Sequence, residues 1–296
     1  ELEEGSRLWA VEALRAAGAR AAKALESFKE DSSPQVRQKV SQGHLASPAQ
    51  RSRIRLFCLG EFQAFRGDQR LEGWRSQKIR YLLAFLASQE RAVSEDVLIE
   101  TFWAEQPVER ARQNLYTAIS TLRKLLKDQV DPIERLAGGL KLNSDLPLWI
   151  DYRRLQSELE AAREFAKDGL REAELQAGNR ALQLYRGPFL EGCFYDWALS
   201  LRERLETEMI LCLRQLAEKT YRSDRYDQSF EFASRVLTLD PCCQESHLLL
   251  MRLHLLKGRP EQAIRQFEIC QRVLKRELGI EPELALFEAY QRARLR

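Results

Sequence analysis

The sequence is short of histidine, lacks any paired-cysteine spacing and has no long apolar run, and each absence removes a class of function. Three histidines are too few for a metal centre unless carboxylates join them; His247 and His254, seven apart on one helical face, read as core or surface side chains. The six cysteines, Cys58, Cys193, Cys212, Cys242, Cys243 and Cys270, contain no C-x-x-C pair. Scattered through apolar or helical contexts, they read as buried reduced thiols, with the adjacent Cys242 and Cys243, after a proline, also suiting a redox switch. No Gly-rich phosphate loop, nucleophile elbow or paired-carboxylate motif occurs, so an enzyme is disfavoured and no cofactor is implied. Apolar runs of a few residues broken by charge leave no membrane span. With no basic and apolar leader at the start, a cytoplasmic location is expected. The chain opens on Glu1 rather than Met, as a fragment of a longer protein would.

What the sequence does contain is unevenly spread. Residues 1–50 carry 7 basic and 7 acidic side chains, residues 51–148 carry 16 and 13, and residues 149–296 carry 24 and 24, so the net +3 falls in the middle. Within that middle, residues 110–127 hold five Lys or Arg and no Asp or Glu. At 100° per residue Leu115, Ala118, Ile119, Leu122 and Leu126 gather on one side, as a core-facing stripe must. The opposite side presents Arg110, Gln113, Thr117, Ser120, Thr121 and Lys124, short and rich in hydrogen-bonding groups, flanked by Arg112, Tyr116, Arg123 and Lys127. Such a face suits a DNA major groove. Read alone, it equally suits a solvated amphipathic helix, so its neighbours decide.

Residues 8–28 read as an Ala-rich helix, and Ser33-Pro34 opens a second that runs through Val40. This piece reads as the end of a helical array, with Ser47-Pro48-Ala49-Gln50 as linker. From Arg53 the period shifts to two: 53–60 and 61–65 alternate before Gly67-Asp68, giving two antiparallel strands, with a third at 69–71. Helical period returns over 77–89; Ser94 caps a helix through Trp103, with Glu95 and Asp96 in its first turn. Pro107 ends it, the basic helix follows, and 133–136, Gly138-Gly139 and 140–142 read as strand, turn, strand. Strands, three helices and a hairpin make a winged helix-turn-helix.

Beyond residue 149 the chain is helical and repetitive. At a spacing of 34, Ser229, Phe230, Ala233 and Val236 fall on Ala263, Ile264, Phe267 and Cys270, with Asp224-Arg225 and Gly258-Arg259 at matching turns. That is the tetratricopeptide period; a more divergent pair is expected over 151–185. The fold class is therefore mainly α with a small β component, arranged as an N-terminal helical segment over 1–50, a winged helix over 51–148 and a tetratricopeptide-like domain over 149–296. Leu148, Trp149 and Ile150 are expected in the joint between the last two, and a cut after Asn143 is expected to leave non-specific DNA affinity largely intact while lowering affinity for tandem sites and abolishing activation.

Several motifs carry a family resemblance. Arg75, Lys78 and Arg80 at the first helix, I-S-T-L-R-K in the basic helix and the Gly-containing hairpin resemble the OmpR/PhoB type of winged helix over roughly a hundred residues. Leu140 departs from the aromatic that this type carries after the wing glycine. A-L-Q-L-Y-R-G-P-F-L from Ala181, W-A-L-S-L-R-E-R-L from Trp197 and E-L-G-I-E-P from Glu277 resemble the bacterial transcriptional activator domain of the Streptomyces antibiotic regulatory protein (SARP) family. The resemblance implies an activator that binds repeated double-stranded DNA sites, as a homodimer, and contacts RNA polymerase. The third helix of such a fold enters the major groove while other elements grip phosphate. Arg112, Gln113, Tyr116, Thr117, Ser120, Thr121 and Lys124 are therefore the candidate base-reading side chains, and Arg75, Ser76, Ser94, Arg123 and Lys141 the phosphate candidates. The competing reading is a protein-interaction scaffold whose winged helix has lost DNA. No residue pattern specifies a small-molecule effector.

Overall fold

The computed structural model describes residues 54–127 and 130–295; the helices and linker expected over 1–50 lie outside them. The described chain divides into two compact units, 54–151 with 190–195, and 152–189 with 196–295.

In the first unit a four-stranded sheet has the order β3-β2-β1-β6, built from β1 Ile54–Phe57, β2 Gln63–Arg66, β3 Gln69–Arg70 and β6 Leu148–Ile150. The strands β1, β2 and β3 pair antiparallel, and β6 lies parallel to β1 with Ile54 opposite Leu148 and Leu56 opposite Ile150. Leu148, Trp149 and Ile150 are thus a strand rather than the expected joint. Period-two alternation sends Ile54, Leu56, Ala64 and Ile150 into the core and gathers Phe65, Phe57 and Trp149 on the other face, their rings meeting edge to face at 5.6 and 5.2 Å. Beyond β1 the chain is fastened by Asp151. Its carboxylate, 1% exposed, accepts the backbone N–H of Cys58 at 2.8 Å and of Leu59 at 3.0 Å. A buried carboxylate so satisfied is stabilising, and its removal would strand two buried donors. A cut after Asn143 would therefore remove both β6 and this anchor.

The same unit holds three helices: α1 Gln77–Ser88, α2 Glu95–Trp103 and α3 Val108–Leu125. Their apolar positions recur at 3.6-residue period, burying Leu82, Leu83 and Leu86 from α1, Leu98 and Phe102 from α2, and Ala111, Leu115, Ala118 and Leu122 from α3. Each buried leucine contributes about 1.5–3 kcal/mol of transfer free energy. The Ser94 hydroxyl accepts the Val97 N–H at 3.3 Å and starts α2 as expected. The hairpin of β4 Ile133–Leu136 and β5 Gly139–Leu142 completes the winged helix-turn-helix. The segment 190–195 returns to this unit: Leu190 and Glu191 donate to the carbonyls of Cys58 and Gly60 at 2.7 and 3.0 Å, and Tyr195 packs against Tyr81 and Phe102.

The second unit consists of helices α4 Asp151–Lys167, α5 Arg171–Leu184, α6 Asp196–Arg222, α7 Tyr226–Leu239, α8 Gln244–Leu256, α9 Pro260–Glu277 and α10 Leu284–Arg294. The 34-residue register is visible in burial: Ser229, Ala233 and Val236 on α7 and Ala263, Phe267 and Cys270 on α9 are all buried, while Phe230 and Ile264 are half-buried. Polar crossings tie neighbouring helices. Ser229 Oγ donates to Ala217 O at 2.8 Å, Arg180 Nε to the buried Glu158 at 2.9 Å, and a His247 ring nitrogen pairs with Gln266 at 2.6 Å. All six cysteines are free. Cys242 and Cys243 form no bridge, Cys243 Sγ instead turning to Ser246 Oγ at 3.3 Å; burial raises both thiols above their ordinary range. Burial and the neighbouring Asp151 do the same to Cys58.

Candidate nucleic-acid interface

The helix α3 presents two distinct sides. Leu115, Ala118, Ile119 and Leu122 are buried, whereas Arg112, Gln113, Tyr116, Thr117, Ser120 and Lys124 are exposed. Thr121 does not belong with them: it is 8% exposed and its hydroxyl donates to Thr117 O at 2.9 Å, so the expected base-reading role is withdrawn. Thr117 makes the same kind of bond to Gln113 O at 2.9 Å but stays on the surface, with its methyl and oxygen accessible.

Both ends of this helix are held. At its start Asn114 donates to Gln106 Oε1 at 2.6 Å across the turn from α2. The Phe102 carbonyl near the end of α2 accepts Lys78 Nζ at 2.7 Å, which commits one residue of the basic opening of α1 to the scaffold. At the end of α3 the guanidinium of Arg66, from β2, donates to Leu125 O at 2.9 Å and Lys127 O at 2.7 Å. The Leu125 carbonyl is an orphan of the last turn and that of Lys127 lies just beyond it, and a cation there also complements the helix dipole. Arg123, expected on phosphate, is likewise committed: Nε donates to Asp131 at 3.0 Å and Nη2 to Ile133 O at 2.9 Å, fixing where the wing begins. Among the described residues, Arg112 and Lys124 make no ion pair, so their charge is available to a polyanion.

The wing is fastened by backbone. Val93 N donates to Leu140 O and Leu140 N to Val93 O, each at 2.8 Å, joining β5 to the chain between α1 and α2. Gly139 permits this approach. At its φ of +127° an added Cβ would stand 2.0 Å from Val93 O. Leu140, 2% exposed, fills the position where an aromatic was expected, so apolar packing under the wing is kept. Glu95 links wing and helix: one carboxylate oxygen accepts the Tyr116 hydroxyl at 3.0 Å, and the other pairs with Arg135 Nη2 at 2.6 Å. Tyr116 thus remains at the surface with its hydroxyl partnered, and Arg135, absent from the sequence-derived set, joins the site. Arg135 sits one residue before the end of β4, and only its position on a hairpin strand could have signalled it.

The remaining phosphate candidates are more dispersed. Lys141 stands opposite Glu134 in the hairpin register, which partly offsets its charge. Arg75 and Ser76 are exposed before α1, Arg75 with the left-handed φ of +53° and Ser76 without a side-chain cap bond. Ser94 is exposed but occupied as the α2 cap. Among the described residues no cluster of His, Cys, Asp or Glu has metal-site geometry and no helix is long and apolar enough to cross a membrane.

Comparison with known proteins fits this architecture. Residues 150–294 match the bacterial transcriptional activator domain. The chain is 28% identical over 268 residues to the regulatory protein AfsR of Streptomyces griseus, across 88% of this chain and 26% of that protein. It is 29% identical over 217 residues to the transcriptional regulatory protein MoaR1 of Mycobacterium tuberculosis, across 69% and 68%. The chain therefore spans about a quarter of the length of its AfsR relatives. Its fold is similar to that of Mycobacterium tuberculosis EmbR, solved with a low-affinity phosphopeptide, with a TM-score of 0.65 and 23% identity over 82% of this chain and 65% of that one. With the bacterial transcriptional activator domain matched over 150–294 and a winged helix-turn-helix before it, the chain is similar in its domain order to the Streptomyces antibiotic regulatory protein family.

Proposed function

We propose that this chain is a sequence-specific, DNA-binding transcriptional activator that works in the cytoplasm. Its winged unit, 54–151 with 190–195, reads promoter repeats, and its helical unit, 152–189 with 196–295, engages a second protomer or RNA polymerase. The observation that carries the reading is the exposed face of α3 from Arg110 onward, free of Asp and Glu, on a helix held at its start by Asn114 and at its end by Arg66 and Arg123. Gln113, Thr117 and Ser120 read base edges, Arg112 and Lys124 flank them on phosphate, and Arg135 extends the contact along the wing. Without a free guanine-directed arginine at the centre, DNA shape and bridging water supply part of the specificity. The helical domain, equal in acid and base over 149–296, gains little from DNA itself.

The test is anisotropy titration of the full chain against a duplex recovered by in vitro selection and a scrambled one. Lys124→Ala should weaken both and flatten the log-log salt dependence by about one unit, as expected for one lost phosphate contact. Thr117→Ala with Ser120→Ala should lower the ratio of the two affinities, leaving thermal stability unchanged. A wild-type chain that retains neither duplex at low salt would overturn the reading in favour of an interaction scaffold.

A further inference from the structure

We infer that the helical domain carries a binding site for a small phosphorylated ligand, a use that the DNA-reading proposal neither requires nor supplies. A cavity of about 620 Å³ lies where the end of α4 and the start of α5 meet the end of α6 and the start of α7. That volume is within the range of small-molecule sites, about 300–1,000 Å³. Its rim carries Arg171, Arg222 and Arg225 beside the Ser223 hydroxyl, and its floor is formed by Leu175 and Leu216. Lys219 and Glu174 also line it but neutralise one another, Nζ reaching both carboxylate oxygens at 2.6 and 2.8 Å with Glu174 buried. What faces an incoming ligand is therefore three guanidiniums and no uncompensated acid.

The guanidiniums are exchangeable. Arg222 pairs with Glu218 one turn back and Arg225 with Glu172 at 3.0 Å, both exposed pairs. Exposed pairs are weak and screened by solvent, so a ligand dianion displaces them at small cost. Arg171 has no ion-pair partner among the described residues, and it is exposed at the mouth. Planar guanidiniums grip phosphate oxygens in pairs, and several of them around one cavity favour a multiply charged phosphate over a singly charged anion. The leucine floor and the cavity's volume leave room for an organic group behind the phosphate.

Inorganic pyrophosphate is the probe, titrated into the full chain by calorimetry at constant ionic strength. Saturable binding is expected. Arg171→Gln with Arg222→Gln should weaken it by roughly tenfold or more, since charge-assisted hydrogen bonds from two guanidiniums are lost together. Both side chains are exposed, so the variant should keep the wild-type circular dichroism and thermal midpoint. Arg214→Gln, which lines the neighbouring groove along α6, should bind as wild type. Non-saturable heats, or equal binding by all three proteins, would overturn the site. A double variant that loses duplex DNA affinity as strongly as pyrophosphate affinity would overturn it too, assigning these arginines to DNA phosphate. Retained DNA binding with lost pyrophosphate binding separates this site from the α3 interface.

Discussion

Replacing Glu95 tests whether the recognition helix and the wing act as one reading surface. A carboxylate near phosphate is unfavourable by itself; Glu95 serves the first turn of α2 and, beyond that, holds the Tyr116 hydroxyl at 3.0 Å and the Arg135 guanidinium at 2.6 Å. The Arg135 side chain is 62% exposed and that of Glu95 22%, so the ion pair contributes at the level of surface pairs, about 0–1 kcal/mol. The tyrosine bond to a charged acceptor is worth about 1.5–3 kcal/mol in a dry setting and less at this rim. Glu95→Ala should therefore cost only about 1–2 kcal/mol of stability, and the domain should fold. On DNA the two consequences oppose each other. Losing one negative charge raises affinity for any duplex at low salt, an effect screened beyond about 8 Å at physiological ionic strength. Releasing Tyr116 and Arg135 removes contacts whose value depends on register, and a loss of about 1.4 kcal/mol is tenfold in discrimination. Anisotropy titrations of selected and scrambled duplexes, from low to physiological salt, should show scrambled affinity rising and the affinity ratio falling. Glu95→Gln, which can still accept from Tyr116, should fall between. An unchanged ratio in Glu95→Ala, or parallel weakening on both duplexes, would refute the bracing role.

Three further outcomes bear on stability. Gly139→Ala places a Cβ 2.0 Å from the Val93 carbonyl oxygen, a backbone atom that cannot step aside; the wing should detach, lowering stability by about 2–3 kcal/mol, read by denaturant melts and by loss of Val93 amide protection. Ala263→Trp overfills a fully buried helix crossing and should cost about 1–3 kcal/mol or more in the second unit's transition, an unmoved midpoint contradicting the 34-residue register. Burial holds the His247 imidazole below its ordinary 6.5. The unfolded chain therefore takes up a proton that the folded one resists. The stabilising contribution is present above about 6.5 and lost as pH falls through 6.5 toward the folded value. Urea midpoints should drop on acidification, and His247→Gln should flatten that dependence.

The three helices of the winged unit and its hairpin were legible because their signals are local. Ser94 before an acidic first turn, Pro107 before the basic helix and the paired glycines Gly138-Gly139 each act within a few residues of themselves. Burial of Leu115, Ala118, Ile119 and Leu122 follows from period alone. Thr121 was misread because it borders the apolar stripe, where angle does not decide; its backbone-directed hydroxyl lets it turn inward. Arg123 looked free for phosphate because its acceptors, Asp131 and the Ile133 carbonyl, lie across a turn. The Glu95 bracket joins Tyr116 and Arg135 from three separate elements, and no sequence spacing announces such a meeting.

The same distinction explains the misplaced joint. β6 has three residues and pairs with a strand more than ninety positions earlier, so its parallel partnership leaves no periodic trace; Leu148, Trp149 and Ile150 offered only an apolar run after Pro147. Asp151 gave no local sign that it would bind the Cys58 and Leu59 amides. Nor did the G-P-F-L turn show that Leu190 and Glu191 would donate to Cys58 and Gly60. Together these returns mean that the winged unit is not a continuous stretch of chain. A fragment ending at Asn143 loses a sheet strand and two satisfied buried amides, and one ending at Asp151 still lacks the segment that carries Tyr195. Loss of DNA binding by either fragment would report a damaged fold as readily as a missing domain. Point substitutions in the intact chain are therefore the way to separate DNA reading from activation.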